Sequence, residues 1–525
     1  MLAFLPDPSQ RPRHAGLLAL ALGVVAATGF QPYGAWPLSL LAMGTFACLL
    51  PATRSWKQAA WLGWLFGLGH FTLGNSWIAT AFTFQANLPA VLGWAAVPMI
   101  AAYLGIYPAL AAGAARALAS KGHGRGFAFA FAACWIVAEW LRGWVFTGYP
   151  WNPFAVVLLG PMDRPGLAAL APWTGTYALS GLAVVLSAGL VAALLQRRFV
   201  AAGVAALLVT AGMLLPVDEG AEGTLAVTLV QPGIGQEQIH DPGFYQANFT
   251  RLLTLSLPAG EVQTRLVLWP ESGMADYLEE GYPQVYYDRT TTLGSPLYAR
   301  HAIGRALGDG GLLLAGGQRL VFNEQRRLTG AYNSVLAVAD DGTLGAVYSK
   351  AHLVPFGEYV PLRGLLEPLG LTRFVPGAID FLPGPGPRTL DLGAHGRAGI
   401  QVCYEIIFSG NVVDRADRPD FIYTGSNDGW FGQAGPPQHF AQSRLRAIEE
   451  GLPVLRATTN GISGVIDARG VVRHTLPSGQ AGRIDATVPP AAPPTLFAMF
   501  GNIVSLCWAL AFLAFAFVAM RHSRR

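Results

Sequence analysis

Long apolar runs, seven before residue 217 and one after residue 495, limit what this chain can fold into. Their approximate limits are 15–31, 34–52, 59–80, 86–112, 124–145, 168–194, 199–216 and 496–520. A membrane span needs roughly 17–25 predominantly apolar residues. One such run alone also fits a buried helix of a soluble protein. Eight in one chain, separated by turn residues, favour lipid. The chain as a whole is 52% hydrophobic and 13% charged, where an ordinary soluble domain has about 25% charged residues. The deficit lies in residues 1–216 and at the C-terminal end, and the middle carries most of the charge.

The charges between the runs give an orientation. Arg11, Arg13 and His14 precede the first run, and Arg54 and Lys57 follow the second. Arg116, Lys121 and Arg125 follow the fourth, Arg197 and Arg198 the sixth, and Arg521, Arg524 and Arg525 the last. Apart from Arg142 and Arg164, the other connections hold little positive charge. This alternation places both termini in the cytoplasm and the middle region outside it. The first run lacks a small-residue cleavage site and is read as an anchor, not a signal peptide. The net charge of +4 is explained largely by the loop arginines. It does not point to nucleic acid, since no basic patch with interleaved aromatics is present. The expected organisation is a seven-span bundle over 1–220, an extramembrane domain over 221–494, and a last span with its tail over 495–525.

The middle region reads as an α/β sandwich. Short apolar runs lie at 224–231, 265–269, 312–316, 334–340, 399–403, 420–425 and 454–459. Several are continuous rather than alternating, as in strands buried on both faces. A helix is expected at 440–451, stopped by Gly451. The Gly/Pro-rich stretch 376–396 reads as a surface excursion. Linkers at 215–222 and 489–494 bound the region.

Within 221–494 there is a single cysteine, Cys403, and a single lysine, Lys350. Each follows a short apolar run, as does Glu271 in TRLVLWPE. Ligands of α/β sheets gather beyond the carboxyl ends of strands. Glu271 as base, Lys350 as electrophile and Cys403 as nucleophile suit acyl transfer. The carboxylate takes the thiol proton, and the ammonium faces the oxyanion. His352 and His439 are competing bases. Glu358, beyond Pro355 and Gly357, is placed to return to the lysine or to reach the thiol proton. Tyr404 and Glu405 adjoin the nucleophile, and Glu405 is a candidate for shaping the cysteine loop. SNDGWFG at 426–432 presents Trp430 and Phe431, either over an acyl chain or in the core. PLRGLLEPLGLTRFVPG at 361–377 offers Leu362, Leu365, Leu366, Leu369 and Leu371 to a bilayer surface, with Arg363 and Arg373 toward phosphate. Glu139 and Arg142, three apart, are expected to pair near the outer end of the fifth span. No metal cluster, nucleotide loop or internal repeat is present in the sequence pattern, and no cofactor is expected.

LVLWPES, YSKAHLVPFGEYVP and QVCYE resemble the Glu-Lys-Cys signatures of the nitrilase (carbon–nitrogen hydrolase) superfamily. SNDGWFG, the stretch 438–467 and the layout of spans narrow the resemblance to its membrane-embedded branch, the apolipoprotein N-acyltransferase family. The resemblance covers essentially the whole chain. It implies a multi-span α-helical bundle carrying a four-layer αββα domain that faces the periplasm from a bacterial inner membrane. It implies phospholipid as acyl donor, a cysteine thioester, and the N-terminal diacylglyceryl-cysteine of an apolipoprotein as acceptor, with no cofactor. Glu271, Lys350 and Cys403 match the family's catalytic residues, Glu358 its second essential glutamate, and Tyr404 and Glu405 its residues beside the nucleophile. Trp430 matches a motif tryptophan. In VQPGIGQEQIHD this sequence departs from the family, with His240, a candidate substrate-binding residue, at about the place where a tryptophan is usual. A monomer is expected. Two other readings remain at this point: a membrane-anchored amidase or nitrilase, and a non-catalytic lipoprotein-binding protein.

Overall fold

The computed structural model describes residues 5–84, 89, 91–119, 126–218, 220–260, 264–366 and 380–522. Among the described residues, each of the eight apolar runs is mainly helical. Three helices are long and apolar enough to cross a membrane by length and composition: Val91–Leu118, Leu167–Leu195 and Asn502–His522. The other five fall short of that measure. Pro12–Ala27, Trp36–Ala52 and Phe199–Leu214 are apolar but short, and Trp56–Gly74 and Phe127–Arg142 complete the set. The last run is not one helix. Gly501, at φ 57°, separates Leu496–Phe500 from Asn502–His522. The run at 168–194 is likewise broken, at Gly175 with φ 67° and ψ 172°. A side chain at Gly175 would collide with the Phe497 ring, so this break packs against the short helix that precedes Gly501.

The middle region forms two six-stranded mixed sheets. The strands are β1 Ala226–Gln231, β2 Arg265–Leu268, β3 Gly311–Phe322, β4 Leu328–Ala339, β5 Leu344–Ser349, β6 Thr389–Asp391, β7 Arg397–Val402, β8 Phe421–Ser426, β9 Val454–Thr458, β10 Ser463–Ile466, β11 Val472–Leu476 and β12 Gly482–Thr487. The orders are β12-β1-β2-β3-β4-β5 and β11-β10-β9-β8-β7-β6. In each sheet three central strands run parallel: β1, β2 and β3 in one, β7, β8 and β9 in the other. The sheets pack face to face through Leu229, Leu266, Leu268 and Leu314 against Ile400, Val402, Tyr423 and Leu455. The alternate residues Val230, Val267 and Leu313 point outward, onto Phe249, Leu252, Ile303 and Leu307 of the helices Pro242–Ser256 and Pro296–Leu307. This two-sided burial accounts for the continuous apolar runs. Each fully buried Leu, Val or Ile stabilises the sandwich by roughly 1.5–3 kcal/mol.

The second sheet is covered by the helix Gly435–Glu450, which completes the four layers. Phe440 and Ala447 face the sheet side. Ala441, Leu445 and Ile448 belong to the core of the helical bundle. One helix therefore serves both halves. Arg444, 3% exposed, donates to the carbonyls of Gly470, Gly160, Pro161 and Arg164. Glu449 accepts from the Thr176 backbone N–H and hydroxyl and from Ser409. Thr176 N–H opens the helical segment after the Gly175 break, so the carboxylate serves as a cap contributed from the other half of the chain.

Three expectations change. The stretch 376–396 is not purely an excursion: β6 within it pairs antiparallel with β7 as the sheet edge. Glu139 and Arg142 do not pair with each other, and among the described residues no ion pair joins them. Arg142 donates to the carbonyls of Tyr149 and Trp151, and Glu139 accepts the Phe154 N–H. Arg363 is paired with Asp380 at 2.7 Å instead of standing free for phosphate.

Candidate active site

Glu271, Lys350 and Cys403 come from three strand ends. Glu271 lies three residues after β2, Lys350 directly after β5 and Cys403 directly after β7. All three are buried, at 7%, 1% and 6% exposure. The Lys350 Nζ lies 3.6 Å from Glu271 Oε1 and 3.0 Å from Glu358 Oε2. It also donates to Glu358 Oε1 at 3.1 Å. Burial acts against the ammonium, but Glu358 and then Glu271 outweigh it and hold the lysine pKa above its ordinary value. The group is therefore charged throughout the neutral range.

The Cys403 thiol is pushed well above the ordinary range, first by burial and then by Glu271, with Lys350 acting in the opposite sense. At rest it keeps its proton. Glu271, the carboxylate expected to act as base, is held on both oxygens. Its Oε1 accepts from Asn333 Nδ2 at 2.7 Å and its Oε2 from the Asn427 N–H at 3.0 Å. Asn333 Nδ2 also donates to Glu358 Oε1 at 3.0 Å. A single amide thus ties both carboxylates, and the lysine sits against the same pair.

The backbone at Cys403 has φ 52°, left-handed for a residue that has a Cβ. Such a conformation costs about 1–3 kcal/mol and persists only where its surroundings over-determine it. Glu405 supplies part of that constraint. It accepts from Val402 N–H at 2.8 Å on one oxygen, and from Tyr348 Oη, Ala351 N–H and His352 N–H at 2.8, 2.8 and 3.0 Å on the other. The residue before the cysteine and the two residues after the lysine are thus held by one buried carboxylate. Glu358 similarly fixes its own turn by accepting the Val354 N–H at 2.8 Å.

The two histidines are engaged elsewhere. The half-buried His352 ring stacks on Phe408 at 3.7 Å and its Nε2 meets the Thr147 carbonyl at 2.7 Å. His439 is fully buried, with Nε2 on the Cys403 carbonyl at 3.1 Å and Nδ1 beside Asp428 and Arg456 at 3.1 and 3.0 Å. Neither ring is bonded to the thiol. Tyr404 donates to the Gly148 carbonyl at 3.0 Å. With His352 on Thr147, this seats the cysteine and lysine loops on residues 147–148 of the bundle.

Trp430 faces the bundle, edge-on to Phe84 at 5.8 Å. Phe431 packs against Trp77 at 4.8 Å and Trp151 at 5.5 Å. The His240 side chain is exposed, with its carbonyl taking the Tyr245 hydroxyl. Gln236, from the same segment, is the residue that reaches the 426–432 turn, accepting from Asn427 Nδ2 at 2.9 Å. Leu365 and Leu366 end the short helix Arg363–Leu366. Their side chains, together with Leu369, Leu371 and Arg373, lie outside the described residues.

Sequence reasoning missed Asn333, Gln236 and Arg456, and it named His439 only as a competing base, not as a partner of the Cys403 carbonyl. Asn333 and Arg456 sit inside strands, where nothing local separates a positioning amide or guanidinium from a solvated one. The signal available for Arg456 was a charge inside an otherwise apolar run, VLRATT.

Comparison with known proteins covers the chain in two parts. Residues 22–189 match the family model described as the apolipoprotein N-acyltransferase N-terminal domain, and residues 227–492 match carbon-nitrogen hydrolase. An apolipoprotein N-acyltransferase of Rhodopseudomonas palustris is 31% identical over 511 residues, covering 93% of this chain and 92% of its own length. That of Vibrio cholerae is 31% identical over 523 residues, at 97% and 98%. That of Bradyrhizobium diazoefficiens is 34% identical over 521 residues, at 93% and 91%. Among solved structures, an amidase from Nesterenkonia sp. aligns at 17% identity over 52% of this chain and 92% of its own, with a TM-score of 0.32.

Proposed function

The chain belongs to the apolipoprotein N-acyltransferase family, and on that premise we propose that it transfers an acyl chain from a phospholipid, through Cys403, to the α-amino group of an apolipoprotein's N-terminal diacylglyceryl-cysteine. The observation that carries this reading is a buried Glu271–Lys350–Glu358 charge cluster beside a strained cysteine, seated directly on apolar helices. A thiol nucleophile, a base and a fixed cation make up an acyl-transfer set, and the helices bring it to a lipid ester.

In the first half-reaction Glu271 takes the thiol proton as Cys403 Sγ bonds to the ester carbonyl. The Lys350 ammonium faces the developing oxyanion. Collapse breaks the ester C–O bond, and the departing alkoxide of the lysophospholipid takes the proton from Glu271. A thioester remains. In the second, the acceptor amine attacks that carbonyl and gives its proton to Glu271. Collapse breaks the C–S bond and forms the amide, and the proton returns to the thiolate. Glu358 keeps Lys350 in place, and Glu405 keeps Cys403 and Lys350 in register. Trp430, on the bundle side, and the 361–366 segment are the proposed contacts for acyl chain and lipid surface. His240, exposed on the 231–242 segment, is a further proposed substrate contact.

The proposed organisation remains a seven-span bundle over 1–220, a catalytic domain over 221–494 and a last helix and tail over 495–525, in a bacterial inner membrane. The loop arginines support a periplasmic catalytic domain with cytoplasmic termini. The protein is proposed to act as a monomer.

The test is an intact-protein mass spectrum after incubation with phospholipid and no acceptor. An added acyl mass on the Cys403 peptide is expected. It should move to the amine of a diacylglyceryl-cysteine peptide when one is supplied. An adduct discharged equally fast by water would indicate an amidase. Transfer without any adduct would remove the covalent step. An inert thiol with no transfer would leave a binding protein.

A further inference from the structure

The backbone on each side of the nucleophile is held by a buried side chain. On the N-terminal side Glu405 takes the Val402 N–H. On the C-terminal side the Cys403 carbonyl meets His439 Nε2 at 3.1 Å. A carbonyl oxygen only accepts, so Nε2 carries the proton. Burial and then Arg456 keep the ring's pKa below the ordinary histidine value. Its Nδ1 lies 3.0 Å from Arg456 Nη2. Asp428 Oδ1 lies 3.1 Å from the same Nδ1, but it is bonded to the same guanidinium nitrogen at 2.9 Å, with Oδ2 at 2.7 Å, and to the Ser426 hydroxyl at 2.6 Å. Asp428, His439 and Arg456 are 1%, 0% and 0% exposed. Arg456 is fixed further by the Ile462 carbonyl and Ser443.

We propose that His439 is a positioning residue for the transfer reaction: its Nε2–H, aimed by the Asp428–Arg456 ion pair, holds the Cys403 carbonyl and so keeps the cysteine backbone in the left-handed turn from which the thiol attacks. The separate turn that carries Asp428 serves the base, because Asn427, next to Asp428, gives its N–H to Glu271. One buried ion pair therefore sets the relative placement of nucleophile and base. The proposal rests on Cys403 being the nucleophile.

Two amides separate this role from a purely structural one. In His439→Gln the side-chain nitrogen falls where Nε2 was, and the donor to Cys403 is kept. In His439→Asn the amide falls where Nδ1 was: the contact with Asp428 and Arg456 is kept, and the donor to Cys403 is lost. The assay is the rate of acyl-adduct formation by the full-length protein in phospholipid vesicles, resolved into kcat and KM for the donor lipid. His439→Asn is expected to lose about 10²-fold in kcat, the order that a 1 Å misplacement costs, with KM unchanged. His439→Gln is expected to stay within about tenfold of the parent in kcat.

Equal kcat in the two variants, or a loss confined to KM, would overturn the proposal. If His439→Asn fails to fold, His439→Gln still decides, since a folded Gln protein that has lost about 10²-fold in kcat contradicts a donor role. Cys403→Ala is run alongside. If it still transfers, the nucleophile assignment has failed. If it is inert and the two amides are equal, the failure belongs to His439 alone.

Discussion

Glu405→Gln changes no volume and removes one charge, which makes it a sharp test of the loop clamp. In the parent, one oxygen takes three donors and the other takes the Val402 N–H. A glutamine can turn its oxygen to the three donors, but its NH₂ then faces Val402 N–H, donor against donor. An orphaned buried donor costs about 1–3 kcal/mol. The three remaining bonds change from charge-assisted to neutral, a loss of about 1 kcal/mol each. Relief from burying a carboxylate, whose pKa burial raises, offsets part of this. A net local cost of about 2–4 kcal/mol remains. It falls on the Gln401–Val402 peptide and on the two peptides after Lys350, so the thiol and ammonium lose their register. The assay is adduct formation from phospholipid, timed by intact-protein mass spectrometry, with the fraction of folded protein measured in parallel. A drop of about 10²-fold is expected in folded protein. A Glu405→Gln enzyme that acylates at the parent rate with an unchanged unfolding midpoint would refute the clamp.

The remaining predictions concern the reacting groups and the junction. Cys403→Ala should fold and form no adduct on digestion, while Cys403→Ser should show little activity because an alkoxide is much harder to generate than a thiolate. Lys350→Arg should fail despite its retained charge, since the larger guanidinium fork is directed differently; near-parental turnover would reduce Lys350 to a general electrostatic role. Glu271→Gln should form the acyl-enzyme very slowly, and fast thioester formation would move the base to Glu358. Glu450 is buried with its pKa raised to about 7, by burial first and then by Glu449. Its folded value lies above its unfolded one, so its contribution of up to about 3 kcal/mol is present at low pH and lost as pH rises toward 7. Unfolding midpoints between pH 4.5 and 7 should fall less in Glu450→Gln than in the parent, and parallel slopes would contradict the shift.

The sandwich was legible where strands are buried on both faces. β1, β2, β7, β8 and β9 read as continuous apolar runs and stand within about two residues of where periodicity puts them. β11 and β12 were not, because VRHTL and GRIDAT are half-exposed edge strands whose charges conceal them. β6 was hidden by its Gly/Pro-rich surroundings. Glu271, Lys350, Glu358 and Cys403 could be picked out because chemical side chains interrupt or end apolar runs. Asn333 could not, and His439 was singled out only as a competing base, since their partners lie 62 and 36 residues away in sequence and only the packed sandwich brings them together. The breaks at Gly175 and Gly501 escaped for a related reason. An apolar run specifies helix, but a cap donated by a carboxylate 273 residues further on leaves no local trace.

The helix Gly435–Glu450 has consequences for protein engineering. A soluble fragment cut at 221 and 494 would carry this helix with its outer face bare. Ala441, Leu445 and Ile448 would lose the bundle residues they pack among. Arg444 would lose three of its four carbonyl partners, and Glu449 would lose Thr176. Such a fragment presents an apolar stripe to water and should precipitate. For the same reason, chimaeras that exchange catalytic halves between relatives must carry the partner loop 160–166 and the Gly175 break along with the helix. The unit of exchange follows this shared helix, not the linkers in the sequence.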